Sequence, residues 1–162
     1  MLVRTDTSYL MPLRSAGIMV FRRTDSGLEV LLVHPGGPFW ARKDAAAWSI
    51  PKGLCEPDET LEAAARREFT EETGFSVDGS LTPLGDFKQT GGKVITAFAL
   101  EGDFDAAAVR SNDFELEWPP RSGRTATFPE VDRAGWFGPE LAREKLLKGQ
   151  VAILDALLAH LA

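Results

Sequence analysis

The sequence predicts an α/β or α+β sandwich formed by a single domain. Three observations support this: a length of 162 residues, several short apolar runs separated by turn residues, and three longer segments of helical composition. A chain of this size can bury about 70% of its unfolded surface, so it needs no disulfides to fold. Its single cysteine, Cys55, cannot form an internal disulfide. A disulfide-stabilised secreted protein is therefore excluded.

Three strands are predicted in the first third of the chain, after an N-terminal arm. The arm covers residues 1–14, and the strands cover residues 15–21, 28–34 and 48–50. Asp25, Ser26 and Gly27 provide turn chemistry between the first two strands, so these should form a hairpin. A Pro-Gly-Gly-Pro loop follows the second strand, and Pro51 ends the third.

The clearest predicted helix covers residues 61–73. This segment is rich in alanine and contains neither glycine nor proline. Thr60 is a suitable N-cap, and Gly74 is a suitable stop signal.

The second half of the chain alternates strands and turns and then becomes helical. The predicted strands cover residues 81–89, 94–100, 114–118 and 131–137, and the helices cover residues 139–147 and 150–161. The first two strands flank a Thr-Gly-Gly-Lys turn, which predicts a second hairpin. Leucines at helical spacing in the last helix predict packing on the sheet, with a dimer surface as the alternative. No repeat or linker divides the chain, so residues 1–162 are interpreted as one domain.

The charge is acidic overall and concentrated in one segment. The chain has a net charge of −6 and a pI near 5.0, which argues against a nucleic-acid coat or a binder of anionic membranes. Between Glu56 and Glu72, seven acids and two bases give a local net charge of −5. No apolar run approaches the roughly 18 residues of a membrane span, and the first residues lack the order of a signal peptide. These features predict a soluble, cytoplasmic protein.

Three carboxylates of the acidic segment should share one face of the predicted helix. Glu68, Glu71 and Glu72 fall within about a third of the helix circumference, where like charges repel each other. A bound hard divalent cation is the simplest way to stabilise this cluster. Arg67 lies one turn from Glu71 and could pair with it or orient a carboxylate from the preceding loop, for which Glu59 is the candidate.

The loop before the helix carries a cation next to a glycine. Lys52 could contact a phosphate group, and the backbone of Gly53 could approach a ligand closely. Gly53, Glu59 and the segment from Arg67 to Phe75 match every defined position of the pattern GX5EX7REUXEEXGU, in which U is apolar. This pattern is the Nudix box, and the chain therefore resembles Nudix hydrolases.

The resemblance implies a fold and a reaction. The fold would be an α/β/α sandwich with a mixed sheet, in which the box forms a loop, a helix and a loop. The reaction would be hydrolysis of a nucleoside diphosphate linked to another moiety. The resemblance extends loosely to residues 48–53, before the box, and to residues 128–137, as the late strand of the family.

The resemblance also implies roles for the residues of the box. Glu68, Glu71 and Glu72 would bind Mg²⁺ or Mn²⁺, with the carbonyl of Gly53 as a further ligand. Arg67 and Glu59 would order the loop against the helix. Glu71 is the first choice for the general base. An acid on a downstream loop is the alternative, and the candidates are Glu115, Glu117 and Glu130.

The substrate is only broadly constrained by the sequence. The candidate binding residues are Lys52, Arg42, Lys43, Trp118, Arg121 and Arg124, and Phe39 or Trp40 could stack on a base. Nucleoside triphosphates and dinucleoside polyphosphates are favoured, nucleotide sugars and RNA 5′ ends remain open, and the acidic composition weighs against long RNA. A catalytically silent nucleotide sensor is the main alternative function. An isomerase of this fold would need a cysteine in an apolar pocket, which Cys55 does not fit. The sequence leaves open whether the protein is a monomer or a homodimer.

Overall fold

A mixed β-sheet forms the centre of the protein. The computed structural model describes residues 13–162, so residues 1–12 of the predicted arm lie outside the described part. The strands are β1 (Arg14–Thr24), β2 (Gly27–Pro35), β3 (Lys52–Leu54), β4 (Thr82–Lys88), β5 (Val94–Glu101), β6 (Asp113–Glu117), β7 (Thr125–Pro129) and β8 (Val131–Phe137). The main sheet has the order β4-β5-β1-β2-β8, and β3 pairs with β1. Strand β1 pairs with β5 in parallel, the other named strands of this sheet pair antiparallel, and β6 and β7 form a separate antiparallel ribbon.

Helices cover both faces of the main sheet. They are α1 (Leu61–Thr73), α2 (Pro139–Lys145) and α3 (Val151–Leu161). Side chains of β1 alternate between the two faces: Ile18 packs in the cluster that contains Phe69 of α1, whereas Met19 packs in the cluster that contains Leu154 and Leu157 of α3. The three layers confirm the predicted α/β/α sandwich with a mixed sheet.

Local capping fixes the bounds of α1. The side chain of Thr60 accepts a hydrogen bond from the backbone N–H of Ala63 at 3.1 Å. Gly74 adopts φ 83° and donates its N–H to the carbonyl of Thr70. Both caps are the predicted ones, and the helix covers the predicted residues.

The helical C-terminal region also matches the prediction closely. Helix α2 ends two residues earlier than predicted because the N–H of Leu147 donates to the carbonyl of Trp48 instead of a helical carbonyl. Ile153, Leu154 and Leu157 of α3 are fully buried, so this helix packs on the sheet as expected. Among the helices in residues 13–162, none has the length and apolar character needed to cross a membrane.

The predicted third strand at residues 48–50 is wrong. Trp48 and Ser49 form only isolated bridges, and the strand that pairs with β1 begins at Lys52. Pro51 has no N–H, and the N–H of Ile50 donates to the side-chain oxygen of Gln150 at 2.9 Å, so neither residue donates a hydrogen bond to a ladder.

The ribbon of β6 and β7 was predicted only in part. The segment 114–118 was expected to be a strand, and the structure begins it one residue earlier and ends it at Glu117. Strand β7 was not predicted because its five residues include Pro129 and only two of them are partly buried. The other predicted strands and both predicted hairpins are confirmed.

Candidate active site

Pairing of β3 with β1 brings the loop before α1 onto the acidic face of the helix. Gly53 pairs with Ala16, and a Cβ atom added to Gly53 would lie 2.1 Å from the carboxyl group of Glu68. Any side chain here would displace that carboxylate, so the close approach requires glycine. The backbone N–H of Lys52 donates to Oε1 of Glu72 at 3.2 Å.

Arg67 gathers the other carboxylates of the box. Its Nε and Nη2 atoms donate to the two oxygens of Glu59 at 2.6 and 2.9 Å. Its Nη1 atom donates to Glu68 at 2.9 Å and to Glu71 at 3.1 Å, while Nη2 also donates to the carbonyl of Leu54. The two alternatives left open by the sequence, pairing with Glu71 and orientation of Glu59, therefore occur together.

The pKa values of the carboxylates differ because their surroundings differ. Burial raises the pKa of Glu72 to about 8, although the charge of Lys52 opposes this. Burial also raises the pKa of Glu68, an effect that the hydrogen bond from Arg67 opposes. The hydrogen bonds from Arg67, followed by one from the backbone N–H of Glu56, lower the pKa of Glu59 to about 2. Glu72 is therefore a partly buried carboxyl group with little cationic compensation.

The group of donors fits a hard cation chemically without forming a closed cage. Within residues 13–162, no three acidic, histidine or cysteine side chains are arranged as a metal site. Glu68 and Glu71 face Arg67 instead, and Glu72 faces the backbone of Lys52. Mg²⁺ commonly takes only one or two carboxylates together with waters and substrate phosphates, so an open set of oxygen donors is compatible with it. A bound cation would stabilise the carboxylate of Glu68 where it closely approaches the backbone of Gly53. It would also compensate the negative charge of ionised Glu72.

A cavity of about 170 Å³ opens beside Glu72. Lys52, Glu72 and Glu130 form its polar wall, whereas Trp40 and Leu147 belong to its apolar wall. The other downstream candidates for the general base, Glu115 and Glu117, are exposed on β6, and Glu117 accepts a hydrogen bond from the N–H of Gly123. Glu130 is also exposed, but of the three it is the one that lines this cavity.

Lys52 also lines a second cavity, of about 310 Å³. Lys52 and Gly53 line it together with Lys93, Gln89 and Gln150. The two cavities share Lys52 and Leu147 in their walls. A phosphate chain bound at Lys52 would thus lie next to both cavities.

Gln150 positions the site and was not predicted from the sequence. Gln150 is fully buried, accepts from the N–H of Ile50 and donates to the hydroxyl of Ser49 at 2.9 Å, so it holds the segment leading to Lys52. His34 is a second buried polar residue, and it bonds to Asp132 and to the carbonyl of Lys43. The sequence indicates the contact of Gln150 with Ile50 and Ser49 only by placing a glutamine directly before an apolar helix.

The remaining candidate substrate residues lie on the surface. Arg42, Lys43, Arg121 and Arg124 are exposed. The rings of Phe39 and Trp118 meet edge to face with centroids 5.5 Å apart, which joins the loop after β2 to the tip of the β6–β7 ribbon. The structure thus brings two of the predicted segments together, although they are about eighty residues apart.

Comparison with known proteins identifies a family model that matches most of the chain and a curated relative that matches less than a third of it. The chain matches the family model of the NUDIX domain over residues 11–157. A 52-residue stretch is 44% identical to an RNA pyrophosphohydrolase from Caulobacter vibrioides, covering 29% of this chain and 30% of that protein. The match thus spans less than a third of that curated relative.

Two solved structures share the fold at low sequence identity. One is the Ap4A hydrolase of C. elegans in a binary complex, with TM-score 0.62, 21% identity, and coverage of 92% of this chain and 97% of that one. The other is the NUDIX domain of Shewanella oneidensis NrtR complexed with ADP ribose, with TM-score 0.65, 18% identity, and coverage of 98% and 100%. At these identities the likeness concerns the fold.

Proposed function

We propose a function for this chain on the premise that it belongs to the Nudix family. The protein is a divalent-metal-dependent pyrophosphohydrolase that cleaves the diphosphate linkage of a nucleoside diphosphate joined to another moiety. The observation that carries the proposal is the convergence on Arg67 of Glu59, Glu68 and Glu71, beside Gly53 and the partly buried Glu72. An arrangement of this kind concentrates negative charge where a cation and a phosphate chain can meet.

Mg²⁺ or Mn²⁺ is the proposed cofactor. Glu68, Glu71, Glu72 and the carbonyl of Gly53 would hold it, since hard cations prefer oxygen ligands. When bound, the ion would neutralise phosphate charge and lower the pKa of a nearby water. Arg67 holds the loop and the helix together through Glu59, so it acts as a positioning residue.

Side chains of the protein would complete the reaction. Lys52 lies between the two cavities and would bind the phosphate chain. Glu71 is the first candidate to accept the proton of the attacking water. Glu130 is the second, and its position in the cavity wall beside Glu72 favours it over Glu115 and Glu117.

The substrate class most compatible with the site is a nucleoside triphosphate or a dinucleoside polyphosphate. Lys52 lies in the wall of both cavities, so the groups attached to a phosphate chain bound at Lys52 can occupy either cavity. The similarity to an RNA pyrophosphohydrolase and to an Ap4A hydrolase supports a substrate of this class.

The test is release of phosphate and pyrophosphate from a panel of substrates. The panel contains nucleoside triphosphates, dinucleoside polyphosphates, ADP-ribose and nucleotide sugars, each assayed with Mg²⁺, Mn²⁺ or EDTA. Metal-dependent release from at least one substrate is expected. If no substrate of the panel released phosphate or pyrophosphate, and calorimetry showed nucleotide binding, the results would instead support the sensor function.

A further inference from the structure

Two segments meet at the surface beside the first cavity. The loop after β2 contributes Phe39, Arg42 and Lys43, and the tip of the β6–β7 ribbon contributes Trp118, Arg121 and Arg124; together these six residues are called the distal patch. The edge-to-face contact of Phe39 with Trp118 joins the two segments. Phe39 remains 60% exposed, so one face of this aromatic pair is available to a ligand.

The distal patch is cationic in an acidic protein. Residues 39–43 and 118–124 contain four basic residues and no acidic residue. Within residues 13–162, none of the four basic side chains lies within 4 Å of a carboxylate oxygen. The two acids next to the segments already have partners: Asp44 pairs with Lys145, and Glu117 accepts from the N–H of Gly123. Among the described residues, the four basic side chains therefore have no ion-pair partner.

The distal patch is continuous with the cavity that contains Glu72. Trp40 follows Phe39 directly and lines the cavity, and the ammonium group of Lys43 lies 5.1 Å from the centroid of the Trp40 ring. At the base of the ribbon, the N–H of Gly36 donates to the carbonyl of Glu130, another residue of the cavity wall. A substrate that leaves the cavity on this side would meet the patch.

We propose that the distal patch binds a second nucleotide unit of the substrate, consisting of a planar base and at least one phosphate beyond the scissile diphosphate. The inference rests on the proposed pyrophosphohydrolase function. An exposed aromatic face stacks on any base, and unpaired arginines bind phosphate through charge-assisted hydrogen bonds. Two sources offer this chemistry: the second nucleotide of a dinucleoside polyphosphate, and the second residue of a 5′-triphosphorylated oligonucleotide.

The test compares three substrates that share the same first nucleoside. They are ATP, diadenosine tetraphosphate and the 5′-triphosphorylated dinucleotide of adenosine. In Phe39→Leu, which keeps an apolar side chain but removes the ring, we expect the ratio of kcat/KM for the extended substrate to that for ATP to fall about tenfold. In the double variant Arg121→Ser/Arg124→Ser the same ratio should fall, and the salt dependence of kcat/KM for the extended substrate should weaken.

A charge-matched control is the double variant Arg23→Ser/Arg143→Ser. These arginines pair with Glu101 and Asp155, outside the two segments, and their loss changes the net charge equally. The ratio should stay at the wild-type value in this variant. The extended substrate whose ratio falls in the patch variants identifies the source of the second nucleotide.

Two results would overturn the inference while the proposed function stands. One is an unchanged ratio for both extended substrates in all patch variants. The other is a wild-type enzyme that hydrolyses ATP and neither extended substrate. Inactivity of the wild type on the whole metal-supplemented panel would instead contradict the proposed function, and the inference would fall with it.

Discussion

Substitution of Gly53 by alanine tests whether the close approach of backbone and carboxylate matters for function. The added Cβ would lie 2.1 Å from the carboxyl group of Glu68, whereas ordinary contacts begin at 3.4 Å, so this carboxylate must move by about 1.3 Å. Gly53 does not have a positive φ, so alanine causes no backbone strain. The atoms that must yield belong to the end of a flexible side chain, and the free energy of unfolding should change by less than about 1 kcal/mol.

The catalytic effect should be much larger than the effect on stability. A displacement of about 1 Å at a reacting group can lower a rate by about a hundredfold. We therefore expect kcat of Gly53→Ala to fall at least about fiftyfold. The Mn²⁺ concentration that gives half-maximal activity should rise. Steady-state kinetics over a Mn²⁺ titration, with urea unfolding of the same preparation, measures both effects.

Gly138→Ala is the matched control. The nearest atom to a Cβ at Gly138 is the carbonyl of Leu28 at 3.9 Å, an ordinary contact, and this glycine also lacks a positive φ. Its kcat and its Mn²⁺ requirement should equal those of the wild type. If Gly53→Ala behaved like this control, the carboxylate of Glu68 would have no role that depends on its position.

Two further predictions concern Glu72 and Glu130. Because the pKa of Glu72 rises from 4.5 to about 8 on folding, the protonated group favours the folded state, and stability in EDTA should fall as the pH rises from about 4.5 to 8, by up to about 4 kcal/mol. Urea unfolding of Glu72→Gln should lack this contribution; an identical pH dependence in both proteins would refute the assignment. Glu130→Gln should lower kcat/KM at least about tenfold and change its pH profile, whereas the exposed Glu115→Gln should match the wild type. Equal kinetics of the two variants would remove Glu130 from the site.

Features that depend on neighbouring residues in the sequence could be predicted. The bounds of α1 follow from Thr60 and Gly74, whose capping bonds reach at most four residues along the chain. The clustering of Glu68, Glu71 and Glu72 follows from helical geometry alone. Local chemistry therefore accounts for the helix and for its acidic face.

Features that depend on distant residues could not be predicted. The strand expected at residues 48–50 is displaced because Gln150, a hundred residues away, bonds to Ile50. The contact of Phe39 with Trp118 likewise depends on the ribbon of β6 and β7 folding back over the loop after β2. No periodicity in either segment indicates such a partner, so the distal patch emerges only in three dimensions.

The assignment of Glu71 is the most direct test of the proposed chemistry. Glu71 is half-buried and bonds to Arg67 at 3.1 Å. Because glutamine has the same shape as glutamate, Glu71→Gln should leave the fold intact. The measurement is metal-dependent product release from the best substrate by the wild type and by Glu71→Gln, with circular dichroism as the folding control. The account predicts turnover by the wild type that requires Mg²⁺ or Mn²⁺ and is abolished in the variant. A folded Glu71→Gln protein with near-wild-type turnover would contradict it.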